Sequence, residues 1–322
     1  MSDDSGQALR RMRVAARLPQ SQAALPAYEP VTAEYVSELR SGIAELVRLD
    51  GQHGGVELVP LAARMFRAAS ARLAAGHHPS SLESDFTATV AELGEVAGWL
   101  AFDAMRHERA RCFNLEALRL ARLVGDIGME LFILGNMALQ AQETGQAREA
   151  LRTVRLMERF PLSPRLRVMV ASRRARAAAD LGDDRSFALI RRAQAEVDDS
   201  VHATDPKWTW WVDRRELLIH EGGMWRAAGN PGRAVDLHAS ALEAVPRHYR
   251  WASYIGGAML VAALVEARSW AEAERAASDV AKLVPEVSSA RASRRLRDAT
   301  GTARRNRAPS SLEDMLNALA AQ

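Results

Sequence analysis

The sequence predicts an all-α protein, a solenoid of about five helix-turn-helix repeats with capping helices at both ends. Three observations predict it. Hydrophobic residues make up 48% of the chain but aromatic ones only 6%, and Ala, Leu and Arg outnumber β-branched runs, a balance that favours helices over sheets. Apolar residues recur at helical spacing along most of the chain. One stretch, 205–246, holds a complete helix-turn-helix unit with its start, turn and stop residues in place.

In that unit Asp205-Pro206 reads as a helix start, the carboxylate capping free N–H groups and the proline sitting where a missing N–H costs nothing. Gly229-Asn230-Pro231 is the turn and second start, and Pro246 stops the second helix. Small residues at Gly222 and Ala234 let two antiparallel helices approach, and Trp225 fills the space beside them. Gly222, Trp225, Gly229, Ala234, Ala241 and Pro246 together resemble the small, aromatic, turn, small, small and stop positions of a tetratricopeptide repeat.

Taken in order, residues 1–31 form a basic arm in which Leu9, Met12 and Ala16 share one helical face among arginines. Residues 32–90 supply capping helices. The first carries Tyr35, Val36, Leu39, Ile43, Leu46 and Val47 as its apolar stripe with Thr32 as cap; a second spans about Leu58 to Leu73, and a third begins near Phe86. Repeats occupy 91–287, and the small residue early in each second helix falls at Ala110, Ala150, Phe187, Ala234 and Ala273, with a bulky exception in the third. The spacings of 40, 37, 47 and 39 exceed the usual period of about 34 and imply lengthened helices or loops. Residues 288–322 read as a basic helix and tail ending in an amphipathic segment.

Charge and cysteine content narrow the functional classes. A net charge of +3 makes any functional basicity local, and Cys112, the single cysteine, permits no intrachain disulfide. The opening residues lack the apolar core of a signal peptide, and the longest uncharged run, Tyr254 to Val265, is too short for a membrane span. A cytoplasmic protein with no membrane association is expected.

Three stretches, EYVSELRSGIAELVRLDGQHGGVELVPLAARMFR, EVAGWLAFDAMRHERARCFNLEALRLARLVGD and WTWWVDRRELLIHEGGMWRAAGNPGRAV, resemble the tetratricopeptide half of actinobacterial XRE-type helix-turn-helix transcriptional regulators. The resemblance covers roughly 35–300, and LRRMRVAARLPQSQAA is similar to a motif that ends the first helix of that family's DNA-binding domain. It implies a sensor or scaffold module in transcriptional regulation, with the arm at 1–31 a vestige of the DNA-binding half.

The candidate ligand residues lie on the repeats. Asn136 falls where peptide-binding relatives of the repeat fold place an asparagine whose amide can both donate to and accept from an extended chain. Arg173 and Arg176 one repeat later, and Arg226 beyond them, suit a carboxylate or phosphate. Trp208 and Trp211, with Asp213 nearby, suit an apolar ligand wall; the competing and weightier reading makes the indoles inter-repeat core. The expected partner is a protein or peptide segment or a small-molecule effector.

The alternative function is direct DNA binding, as a homodimer, through Arg10, Arg11 and Arg13 or through Arg294, Arg295, Arg304 and Arg305, against the simpler reading of these arginines as a solvated face. No enzyme is expected. His77-His78 lacks metal-ligand spacing, the glycine pairs lack the Lys and Ser or Thr of a phosphate loop, and Cys112 reads as a small core filler, so neither metal nor cofactor is called for.

Overall fold

The computed structural model describes residues 30–320 except Arg247, and the arm containing Arg10, Arg11 and Arg13 lies outside the described residues. Among the described residues the chain is all-helical: fourteen α-helices, two short 3-10 turns and no strand. The helices are α1 (Ala33–His53), α2 (Val59–Ala75), α3 (Ser80–Asp103), α4 (His107–Leu123), α5 (Ile127–Glu143), α6 (Ala147–Met157) and α7 (Pro164–Ala179). They continue with α8 (Ser186–Glu196), α9 (Arg214–Ala227), α10 (Pro231–Glu243), α11 (Arg250–Glu266), α12 (Trp270–Ala281), α13 (Ala290–Arg305) and α14 (Ser310–Ala320). No helix of the described residues is long and apolar enough to cross a membrane.

From α3 onward the helices pair into six hairpins, and each hairpin turns in the same way. One residue takes a left-handed conformation: Met105, Gly145, Gly182, Gly229, Arg268 and Arg307. The N–H of the next residue then bonds a carbonyl five residues back, as in Gln146 to Ala141 at 2.7 Å and Asn230 to Trp225 at 2.8 Å. This double closure satisfies carbonyls that the helix end would leave open. The turns are separated by 40, 37, 47, 39 and 39 residues. The first four intervals match those between the small residues, and the fifth leads to a further hairpin where the sequence predicts a basic helix and tail. That segment is the hairpin α13–α14, with Leu296, Ala299, Ala303, Leu312, Leu316 and Leu319 buried.

Several local expectations hold and several do not. Thr32 caps α1, accepting from Tyr35 N at 3.3 Å, and Ser163 and Asn230 cap α7 and α10 in the same way. The third helix begins at Ser80 rather than near Phe86, because Pro79 is extended and the polar SSLESD that follows forms a first turn carrying Glu83. Asp205-Pro206 does not start the helix. Lys207–Trp211 is a 3-10 turn, and Asp213 begins α9 by accepting from Glu216 N at 2.9 Å. This insertion accounts for the long 47-residue interval. Gly98 packs closely on the Asn114 side chain, and Cys112 is exposed on α4 rather than filling the core.

The odd-numbered helices pack in succession, α1 on α3, α3 on α5, α5 on α7 and α7 on α9, while α11 packs on both α13 and α1. The first described helix therefore meets the late helices along a seam. Ser288 N donates to His53 O at 2.9 Å across it, and Trp99 stands between the two main apolar clusters, one of α1–α9 and one of α11–α14. Gly54 makes the seam passable: its φ is +78°, and a Cβ there would lie 2.0 Å from the Ser288 carbonyl oxygen.

Gly54→Ala is expected to lower unfolding stability by about 2–4 kcal/mol, combining a left-handed backbone with a backbone clash. Gly76→Ala, left-handed with nothing within 4 Å of the added carbon, is expected to cost about 1–2 kcal/mol. Urea denaturation of both variants checks this, and equal losses would remove the seam from the explanation.

Candidate functional site

Where the seam joins the hairpins, the inner helices enclose a cavity of about 100 Å³. Its wall is drawn from α3, α5, α7, α9, α10, α11 and α13, so residues from nearly the whole chain face one small space. Five arginines line it: Arg176, Arg215, Arg226, Arg291 and Arg295. Glu143 and Glu216 line it too, and Trp99, Ile219, Trp251, Ile255 and Met259 supply an apolar side.

The local sequence explains how these groups fit. The pair Gly222-Gly223 sits on α9 facing the interior, and each glycine leaves room for one side chain. A Cβ on Gly222 would lie 2.6 Å from the His238 ring, and one on Gly223 would lie 1.6 Å from Arg176 Nη1. Arg176 is held from the other side by Gln142, whose amide oxygen, turned toward it, accepts from Nε at 2.7 Å and Nη2 at 3.2 Å. The close approach of α9 thus delivers a guanidinium rather than a simple helix contact.

Charge is only partly compensated. Glu143 accepts from Arg295 Nη2 with both oxygens at 2.7 Å. Burial opposes its ionisation, but Arg295, Arg291 and Arg176 outweigh that and hold the carboxyl at about 2. Arg226 is bound to Glu266 at 2.9 Å. The other three arginines have only long ion pairs: Arg176 to Asp180 at 3.5 Å, Arg215 to Asp213 at 3.6 Å and Arg291 to Asp103 at 3.9 Å. Buried donors remain without partners, among them Arg291 Nε and Nη1 and Arg295 Nε; neither ring nitrogen of His238 has one. Burial, with Arg226, Arg295 and Arg176 around it, pushes the His238 imidazole down to about 3, so the ring is neutral.

The residues singled out from the sequence divide between this cavity and other tasks. Arg176 and Arg226 line it, and so does Arg295, which the sequence had suggested for nucleic acid. Arg173 is buried beside it, pairing with Glu216 at 3.3 Å and touching His220. Asn136 is buried elsewhere and donates to Glu95 Oε1 at 2.6 Å. Trp208 and Trp211 pack on Phe132, with ring centroids 4.4 and 6.1 Å away, and Asp213 is the α9 cap. Arg294, Arg304 and Arg305 are exposed on α13, and each has a partner: Asp298 at 3.8 Å, Asn317 at 2.9 Å and Thr302 at 3.0 Å.

The sequence does not single out Gln142, Glu143, Arg215 or His238; His220 reads there only as half of an incomplete zinc-protease pair, and Arg291 as one of the C-terminal arginines that suit nucleic acid or a solvated face. One signal was available. Gln142 and Glu143 end the otherwise apolar helix LFILGNMALQAQE, and Arg291 and Arg295 are one helical turn apart. No protein-family model matches the chain, and no curated protein matches it in sequence.

Glu95, next to this region on α3, is pushed up to about 8 by burial and then by Glu92, with Asn136 opposing. A carboxyl raised in the folded state contributes stability present at low pH and lost as pH rises through about 8. Glu95→Gln keeps an acceptor for Asn136 and cannot ionise. Between about pH 5 and about pH 8 the wild-type protein is expected to lose stability by roughly 1 kcal/mol per pH unit, levelling off above that, and the variant to lose less. Urea midpoints across that range decide it, and parallel profiles would show that Glu95 is ionised already at neutral pH.

Proposed function

We propose that the protein is a regulatory binding module, a tetratricopeptide-like solenoid akin to the sensor half of XRE-type transcriptional regulators, that responds to a small molecule held inside it. The observation that carries this reading is the polar, arginine-lined cavity at the meeting point of the inner helices. Catalytic machinery is a poor fit to it, since its carboxylates are engaged by arginines and its histidines are buried. A structural core is also a poor fit, because an apolar interior would avoid the desolvation of five guanidiniums.

The recurrent hairpins and their turns support the repeat assignment. The cavity favours a small effector over an extended peptide. At about 100 Å³ it has room for several water molecules' worth of ligand, not for a chain segment. A ligand there would touch hairpins that are far apart in sequence and hold the seam shut. Its differential affinity for closed and open seams would set the size of the response.

Thermal denaturation against a panel of cellular metabolites tests the reading. At least one compound is expected to raise Tm by several degrees and to slow hydrogen exchange in α1, α11 and α13. If no compound does so, while the protein at physiological salt selects a recurrent sequence from genomic DNA fragments, direct DNA binding replaces it.

A further inference from the structure

We infer that the interior cavity is an oxyanion site built for the phosphate group of a phosphorylated small molecule, whose apolar part lies against Trp99, Trp251 and Ile255. The inference rests on the reading of the cavity as a ligand chamber and names the class of ligand.

The argument begins with donors. A guanidinium carries five N–H donors, and a carboxylate partner uses one or two. Arg176, Arg215 and Arg291 have no carboxylate closer than 3.5 Å; Arg176 spends Nε and Nη2 on the Gln142 amide, which leaves Nη1 for another acceptor, and Arg291 keeps Nε and Nη1 without a partner. These three line the space from three different helices, α7, α9 and α13. Arg291 is the most telling: the residue is only 6% exposed, and both Nε and Nη1 lack a hydrogen bond. A buried donor without a partner costs about 1–3 kcal/mol, and more when charged, so such a group persists where something else supplies its acceptor.

The shape of the donor set selects the anion. Two coplanar oxygens of a carboxylate can satisfy one guanidinium edge, whereas guanidiniums supplied by three separate helices suit the larger number of oxygens that phosphate offers. Cations are disfavoured by five arginines against two glutamates on the wall. Both glutamates are already engaged, Glu143 by Arg295 and Glu216 by Arg173 and His220. Position is engineered as well as charge. Arg176 occupies the space that any side chain at 223 would take, and Gln142 fixes its orientation. Facing this polar cluster, the aromatic and aliphatic side of the same cavity offers cover for an uncharged substituent.

Titration calorimetry and thermal denaturation at constant ionic strength test the inference with three probes: inorganic phosphate, phenyl phosphate and benzoate. Phenyl phosphate is expected to bind at least about ten-fold more tightly than benzoate. Inorganic phosphate binding as tightly as phenyl phosphate would identify the free ion as the ligand, and weaker binding would identify the ester. Arg176→Gln is expected to weaken phosphate and phenyl phosphate at least about ten-fold with helicity unchanged. Gly223→Ala, which displaces the guanidinium without removing its charge, is expected to weaken them too. Arg291→Gln gives a third reading but also touches the seam, so its folding is checked by circular dichroism.

No heat and no Tm change with either phosphate probe at millimolar concentration would overturn the inference. Binding that is indifferent to both Arg176→Gln and Gly223→Ala would overturn it equally. If the phosphate probes fail while a neutral metabolite stabilises the protein, the sensor reading survives and only the ligand class falls. Silence from every compound removes both.

Discussion

The interior exists only because the early helices α1 and α3 meet the late helices α11 and α13, and that meeting is organised around charge buried among aromatic rings. Asp50 on α1, Asp103 on α3 and Arg291 on α13 lie together with Trp99, Phe102 and Trp251. Trp99 Nε1 donates to Asp50 at 3.0 Å, Ser289 Oγ donates to Asp103 at 2.9 Å, and Arg291 stands 4.4 Å over the Phe102 ring. Burial, and then the neighbouring Asp103, push the Asp50 carboxyl up to about 8, so at neutral pH one of the two acids holds its proton. Two carboxyls and one guanidinium can then share the site without two unbalanced negative charges.

Such a cluster is a poor way to gain stability and a good way to gain register. Taking charges out of water costs several kcal/mol per ion, and a well-packed apolar seam would hold as firmly. An apolar seam would also slide. Asp103 has partners in Ser289 and Arg291 in only one alignment of α13 on α3, and the backbone bond from Ser288 to His53 requires the same alignment. The same alignment brings Arg295 onto Glu143 of α5, far along the chain from it. Seam and chamber wall are thus set by one geometry.

This division explains what could be read from the sequence. Turns, caps and apolar stripes are local, and Gly229-Asn230-Pro231, Ser163-Pro164 and Thr32 announced themselves because each acts within a few residues. Where local chemistry was ambiguous the reading slipped. SSLESD, ahead of Phe86, serves as an acidic helix start, and Asp205-Pro206 reads as a helix start although Asp213, eight residues on, is the residue that opens α9. Left-handed turns at Met105, Arg268 and Arg307 carry no glycine to mark them, so the sixth hairpin passed for a tail. The candidate site was half legible. Arg176 and Arg226 line the cavity, but Asn136 is taken up by Glu95, a partner 41 residues away that no periodicity reveals. Arg291 was hidden in a run of arginines that are mostly exposed.

Sharing residues between seam and chamber has a thermodynamic consequence. Arg291 contributes its guanidinium to both: to Asp103 across the seam at 3.9 Å and to the cavity wall. Arg295 likewise joins α13 to α5 through Glu143 while lining the cavity. Opening the seam would carry both arginines away from Arg176 and Arg226, which belong to α7 and α9. Any ligand that engages arginines from both groups therefore binds the closed form better than the open one, and by linkage it must stabilise closure by the same free energy. In a stack of hairpins where each element touches chiefly its neighbours, that contact is where the proposed ligand would gain leverage over the described helices.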